Sequence, residues 1–167
     1  MKAGGLTWWA GKSRQFRAHV VAGVANTERA SLDGWLKPAQ IAVFDGMTVA
    51  DRRHGLDVVA ALRLDGVVHP DVLIAGLLHD AGKGATGLWP RVIHSLGQAY
   101  GSWIPAVLTS FPGMVQSLER LSVHAETSAR MAEDAGCSPR TVELIRWQEA
   151  PRDPEYGERL RLADEAN

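Results

Sequence analysis

The sequence predicts an all-α protein, and three observations carry that expectation. Helix start and stop residues punctuate the chain from end to end. Between these marks, apolar residues recur three and four positions apart. No pair of alternating segments suited to strand pairing stands out, and there is no internal repeat or low-complexity tract.

Taken in order, Ser13 to Ala25 has Phe16, Val20 and Val24 four residues apart, which predicts a helix. A short second helix over Glu28 to Leu36 stops before Pro38, and Pro38 can itself open a helix running to Phe44. Thr48 followed by Asp51 resembles a capping box with Asp in the usual Glu position. The helix it starts carries Leu56, Val59 and Leu62 on one stripe and ends at Gly66, with His54 at the stripe's edge. Pro70 or Asp71 opens the next element. Its nearly continuous apolar run, Val72 to Leu78, fits either a buried strand or a buried helix. Ala75-Gly76-Leu77-Leu78 lacks β-branching and strand partners are few, so a helix is expected, central because it is the most apolar segment. Gly82 to Gly87 follows as a loop. Pro90, Pro105 and Pro112 break Leu88 to Leu121 into two or three short helices. Ser122 to Ala135 is helical again and is capped by Gly136. Ser138-Pro139 starts a helix to Gln148, and Asp153-Pro154 repeats the device for a last helix to Ala166.

A chain of 167 residues is one domain by size, able to bury a substantial core. With 46% hydrophobic and 22% charged residues it has the composition of a globular protein. The formal charge of -1 is spread along the chain and gives no electrostatic footprint for duplex nucleic acid. Cys137 is the only cysteine, so no internal disulfide can form and a reducing, cytoplasmic setting is expected. The first residues lack the apolar core of a signal peptide. No apolar run approaches the roughly 20 residues of a membrane span.

The densest chemistry lies in Leu77-Leu78-His79-Asp80-Ala81-Gly82-Lys83, where two adjacent metal-type ligands end an apolar segment and a lysine follows three residues on. A helix turns about 100° per residue, so neighbours reach one ion only at the edge of a face or where the helix is ending. Gly82 and Gly84 supply that ending. Two further candidates stand far off in sequence: His54, within Asp51-Arg52-Arg53-His54-Gly55-Leu56, and Asp164, within Leu160-Arg161-Leu162-Ala163-Asp164. The bland alternative is a buried, hydrogen-bonded His79 beside a helix-terminal Asp80, with His54 and Asp164 unrelated surface residues.

The order His, His-Asp, Asp on a helical background resembles the HD-domain metal-dependent phosphohydrolase superfamily over roughly Thr48 to Asn167. The resemblance implies a compact multi-helix bundle over residues 48–167, with residues 1–47 as extra helices packed against it. It implies one divalent ion held by His54, His79, Asp80 and Asp164, with Asp80 also touching the attacking water. Two imidazoles and two carboxylates form a mixed nitrogen and oxygen set suited to manganese, iron, cobalt, nickel or zinc, magnesium being a further candidate. Lys83 fits a cation steadying a phosphate oxygen; the alternative is a cation favoured by a helix C-terminus. Arg52 and Arg53 flank His54 and are candidates for phosphate contact, or exposed helix arginines. Some branches of the superfamily hold a second metal with extra histidines. His124 looks like the histidine that begins the corresponding helix there; a site role, as a substrate contact or a donor behind a ligand, and a plain helix-start role are both open to it. Those branches carry histidine after an Ile-Arg-aromatic triplet, but here Ile145-Arg146-Trp147 is followed by Gln148, a poor ligand for such metals. One metal is therefore expected. His94 has no motif context and reads as an ordinary partly buried histidine; His19 and His69 read as structural or surface.

The expected function is hydrolysis of a small phosphoester, with a nucleotide as the substrate class. A non-catalytic regulatory module of the same fold is the alternative, and a hydrolase or diiron oxygenase of a non-nucleotide substrate a more distant one. Neither a phosphate-binding glycine loop nor a dinucleotide fingerprint is present. The six tryptophans read as core and interface anchors, with Trp89 and Trp147 near enough to motif segments to line a pocket. The apolar stretch Leu88 to Val115 fits cover by the N-terminal helices, with a homodimer surface or membrane contact as its other uses.

Overall fold

The computed structural model describes residues 23–84 and 123–167. The helix expected over Ser13 to Ala25, the short helices of Leu88 to Leu121, and His19, His94, Trp8, Trp9, Trp89 and Trp103 lie wholly or mostly outside the described residues. Among those described, every regular element is a helix. They are α1 (Asn26–Ser31), continued by a 3-10 turn at Leu32–Gly34, then α2 (Pro38–Gly46), α3 (Val49–Leu64) and α4 (Pro70–Leu78). A 3-10 turn at Ala81–Lys83, then α5 (His124–Asp134), α6 (Pro139–Arg146) and α7 (Gly157–Ala166), complete them. The all-α expectation holds.

The helix starts follow their capping chemistry. Thr48 Oγ1 accepts from Asp51 N at 3.2 Å and donates to Asp51 Oδ2 at 2.7 Å, so the shorter Asp side chain takes the hydroxyl. His69 Nδ1 accepts from Asp71 N at 3.3 Å, which makes His69 the N-cap of α4 and gives it a structural role. Ser138 Oγ accepts from Thr141 N at 3.1 Å, and Thr141 Oγ1 donates to Asp71 O at 3.1 Å, tying the start of α6 to the start of α4. The Asp153 expectation needs correcting. Its Oδ1 accepts from Glu155 N and Tyr156 N at 3.0 and 2.9 Å, so Asp153 caps an intervening turn, and α7 begins only at Gly157. Likewise α6 ends at Arg146, with Gln148 just beyond it.

Helix α4 is central: every residue from Val72 to Leu78 is buried, and α2, α3, α6 and α7 all pack on it. This explains its nearly continuous apolar run, since no face is left for water. One core joins Leu32, Leu36 and Phe44 from the N-terminal helices with Val58, Leu62, Leu77, Ala129, Ile145 and Leu160. The buried stripe of α3 runs through Asp51, Gly55, Val58, Val59 and Leu62, with Leu56 only partly buried, so it is rotated from the expected Leu56-Val59-Leu62 line. The cause is Gly55. A Cβ there would lie 2.5 Å from Leu77 O, so only glycine lets α3 approach α4 this closely. Gly55→Ala is expected to cost about 1–3 kcal/mol through forced separation of the two helices. Urea denaturation checks it: an unchanged midpoint would mean that the helices can part freely.

Candidate metal centre

Three separate places in the chain contribute to one cluster beside the C-terminus of α4. On α3, His54 lies three residues after buried Asp51 and four before buried Val58, so it shares their inward face. On α7, Asp164 follows buried Leu160 by four residues and shares its face. His79 closes α4 as its C-cap, and Asp80 begins the turn to Lys83. That ending lets the adjacent His79 and Asp80 face the same space.

The donor atoms converge. His54 Nε2 is 2.8 Å from Asp164 Oδ1, and His79 Nε2 is 3.3 Å from the same oxygen. One donor each from His54, His79 and Asp164 lies within 4.8 Å of the others, a set that could hold a metal ion. Asp80 stands at the edge of this triad, its Oδ1 3.5 Å from His79 Nε2 and its Oδ2 3.9 Å from His54 Nε2. Donors bound about 2.1 Å from one ion stand about 3 Å apart when adjacent in an octahedron. The closer of these separations have that scale.

His79 tests the fit most directly. It is buried, and its Nδ1 donates to Gly76 O at 3.0 Å, which leaves Nε2 facing the cluster. Among the described residues Nε2 makes no regular hydrogen bond, though Asp164 Oδ1 stands 3.3 Å away. A buried ring nitrogen left unpaired between two carboxylates suits a cation. Burial opposes a charge on His79, yet the Asp80 and Asp164 carboxylates outweigh it and raise its pKa to about 9. Burial likewise opposes charge on Asp80 and Asp164, but His79 leads the attractions that hold both below the usual carboxylate range.

Lys83 sits on the turn after Asp80, with Nζ 2.5 Å from Asp80 Oδ2. The turn is clamped to the start of α5: Gly82 N donates to Ser128 Oγ at 2.8 Å. A Cβ on Gly82 would lie 2.6 Å from both His124 O and Ser128 N. Glycine at this position therefore lets Lys83 be placed against the cluster. His124 takes the helix-start role left open to it. It begins α5, and it is buried with Nε2 3.8 Å from Asp80 Oδ1.

Arg53 behaves otherwise. Its guanidinium is held by Glu28 at 2.6 Å and Asp57 at 2.8 Å, an arrangement that joins α1 to α3. The expected substrate contact from Arg53 gains nothing from this geometry. Two residues were not anticipated as members of the site. Asp51 is buried one turn before His54 and adds its charge to the field around Lys83. Gln148 is buried with Nε2 3.3 Å from His124 Nε2. The i, i+3 spacing of Asp51 and His54 was the available signal for the first. The Ile145-Arg146-Trp147 triplet marks the position of the second but not its contact with His124, which depends on how α6 ends. Trp147, which caps α6, is half-buried and covered by Arg152, whose guanidinium carbon is 3.2 Å from the ring centre.

Among the described residues no helix is long and apolar enough to cross a membrane. No family model, no curated protein and no solved structure matches the chain.

Proposed function

We propose that the protein is a metal-dependent phosphohydrolase acting on a small phosphoester, with a nucleotide as the substrate class and an HD-like arrangement of its helices. The observation that carries the reading is the convergence of His54, His79 and Asp164 from three helices on a buried, unpartnered His79 Nε2. Asp80 and its Lys83 ion pair border that point.

His54, His79, Asp80 and Asp164 would hold one divalent ion. Such an ion supplies Lewis acidity and makes a water molecule more acidic near neutral pH. Asp80 would also accept the proton of the water that attacks phosphorus, through the oxygen that Lys83 does not engage. As the P–O bond to the leaving alcohol breaks, the Lys83 ammonium stabilises the charge on a phosphoryl oxygen. His79 is held in register by Gly76 O, so its ring needs no reorganisation.

The test is a phosphate-release screen over nucleotides with added manganese, cobalt or nickel, run beside a chelated control. Release that depends on metal supports the reading, and metal-independent release opposes it. Within that assay, Lys83→Ala is expected to lower turnover roughly 10- to 1000-fold. Unchanged turnover would leave Lys83 as a structural counter-charge for Asp80.

A further inference from the structure

We infer that Ser128 is a positioning residue: its buried hydroxyl, by accepting from Gly82 N, holds in place the turn that carries Lys83. The inference rests on the phosphohydrolase reading and adds to it a residue outside the cluster. The turn needs a hold from elsewhere in the fold. It is a 3-10 turn from Ala81 to Lys83, and its own backbone supplies the bond from Lys83 N to Asp80 O at 3.0 Å. So short a turn is not self-supporting. Lys83 Nζ also meets Asp80 Oδ2 at 2.5 Å, but that ion pair joins two residues of the same short stretch. It fixes Lys83 relative to Asp80, not the turn relative to the bundle.

Helix α5 supplies the hold. His124 and Ser128 lie four residues apart on it and share one face. His124 Nε2 is 3.8 Å from Asp80 Oδ1, and Ser128 Oγ accepts from Gly82 N at 2.8 Å, so α5 meets the turn on both sides of Ala81. Ser128 is 0% exposed. A hydroxyl so buried is unfavourable without a partner, and packing alone does not call for one, since Ala129 and Ala132 fill other buried positions of α5. The partner is the Gly82 N–H, which an alanine at position 128 would leave unmet. Without that bond the backbone between Asp80 and Lys83 is free to shift. A misplacement of about 1 Å at a reacting or charge-stabilising group lowers a rate by on the order of 100-fold.

The experiment compares wild type, Ser128→Ala, Lys83→Ala and the double variant as full chains, with metal content and melting temperature recorded for each. Ser128→Cys serves if the alanine variant does not fold. Phosphate release from the four ribonucleoside 5′-monophosphates with manganese gives kcat and KM, and NMR gives the hydrogen exchange of the Gly82 amide. In Ser128→Ala, kcat is expected to fall roughly 10- to 100-fold, with KM within about threefold of wild type and the metal retained. The Gly82 amide is expected to exchange at least about tenfold faster. Because Ser128 acts through Lys83, the double variant should be within about twofold of Lys83→Ala alone. A kcat within about twofold of wild type, unchanged Gly82 exchange, or losses that multiply in the double variant overturns the positioning role and leaves the hydrolase reading intact. Unchanged turnover in Lys83→Ala removes the group that Ser128 positions and overturns the inference as well. Failure of wild type to release phosphate from any of the four overturns the nucleotide reading, and the inference falls with it.

Discussion

Asp80→Ala is expected to abolish phosphate release, lowering turnover by at least about 1000-fold, while leaving the helices in place. One carboxylate here serves several partners. It lies 2.5 Å from Lys83 Nζ, 3.5 Å from His79 Nε2, 3.8 Å from His124 Nε2 and 3.9 Å from His54 Nε2. Its removal takes away a proton acceptor and the charge that offsets a bound cation, and it frees Lys83 from its position. Little packing is lost, because the surrounding core is built from Leu77, Leu78, Ile145 and Leu160. Asp80→Asn, which keeps the shape, separates charge from volume and should be nearly as inactive. Activity within a few-fold of wild type in either variant would contradict the mechanism.

The second large effect is on metal affinity as a function of pH. Without a cation His79 holds its proton to about pH 9, since Asp80 and Asp164 outweigh the opposing effect of burial. A metal must displace that proton, so affinity is expected to rise roughly a hundredfold from about pH 7 to about pH 9 and then level off. The same shift sets the stability of the metal-free protein. His79 is raised in the folded state from 6.5 to about 9, so its contribution is fully present below pH 6.5 and is lost as pH rises through 9. Asp80 and Asp164 are lowered, so theirs is present at neutral pH and is lost in strong acid. Competition with a chromophoric chelator across this range measures the affinity. A flat profile would mean that His79 Nε2 takes no part in binding.

Much of the fold was legible because caps and apolar spacing act locally. Thr48, Gly66, Pro70, Gly136 and Ser138 mark helix ends through hydrogen bonds or backbone geometry confined to a few residues. The rotation of α3 was not legible. It depends on Leu77 O lying across from Gly55, a contact between segments 22 residues apart in sequence. The late start of α7 was hidden for a related reason. Asp153 offers the same cap to a single turn as to a helix, and only packing decides which follows.

The site divides in the same way. His79, Asp80 and Lys83 form one local string, whereas His54 and Asp164 could be named only from the resemblance in the order His, His-Asp, Asp, and the faces they share with buried neighbours show only in the fold. The pairing of Arg53 could not be read in advance, because its partner Glu28 lies on α1, where sequence gives no sign of pairing. Gln148 was judged only for what it lacks as a ligand. Its amide orientation is set by the His79 carbonyl, 69 positions away, and that could not be read in advance.

The most direct test of the metal centre is elemental analysis of the purified protein after exhaustive dialysis, with Asp164→Ala as the comparison. His124 Nε2 accepts from the Gln148 amide at 3.3 Å, which leaves a second ion too few good donors. Close to one equivalent of divalent metal is therefore expected per wild-type chain, falling to a trace in Asp164→Ala. Close to two equivalents would contradict the single-ion centre. A wild-type chain that holds no metal and takes up none from manganese, cobalt or nickel would contradict the metal centre itself.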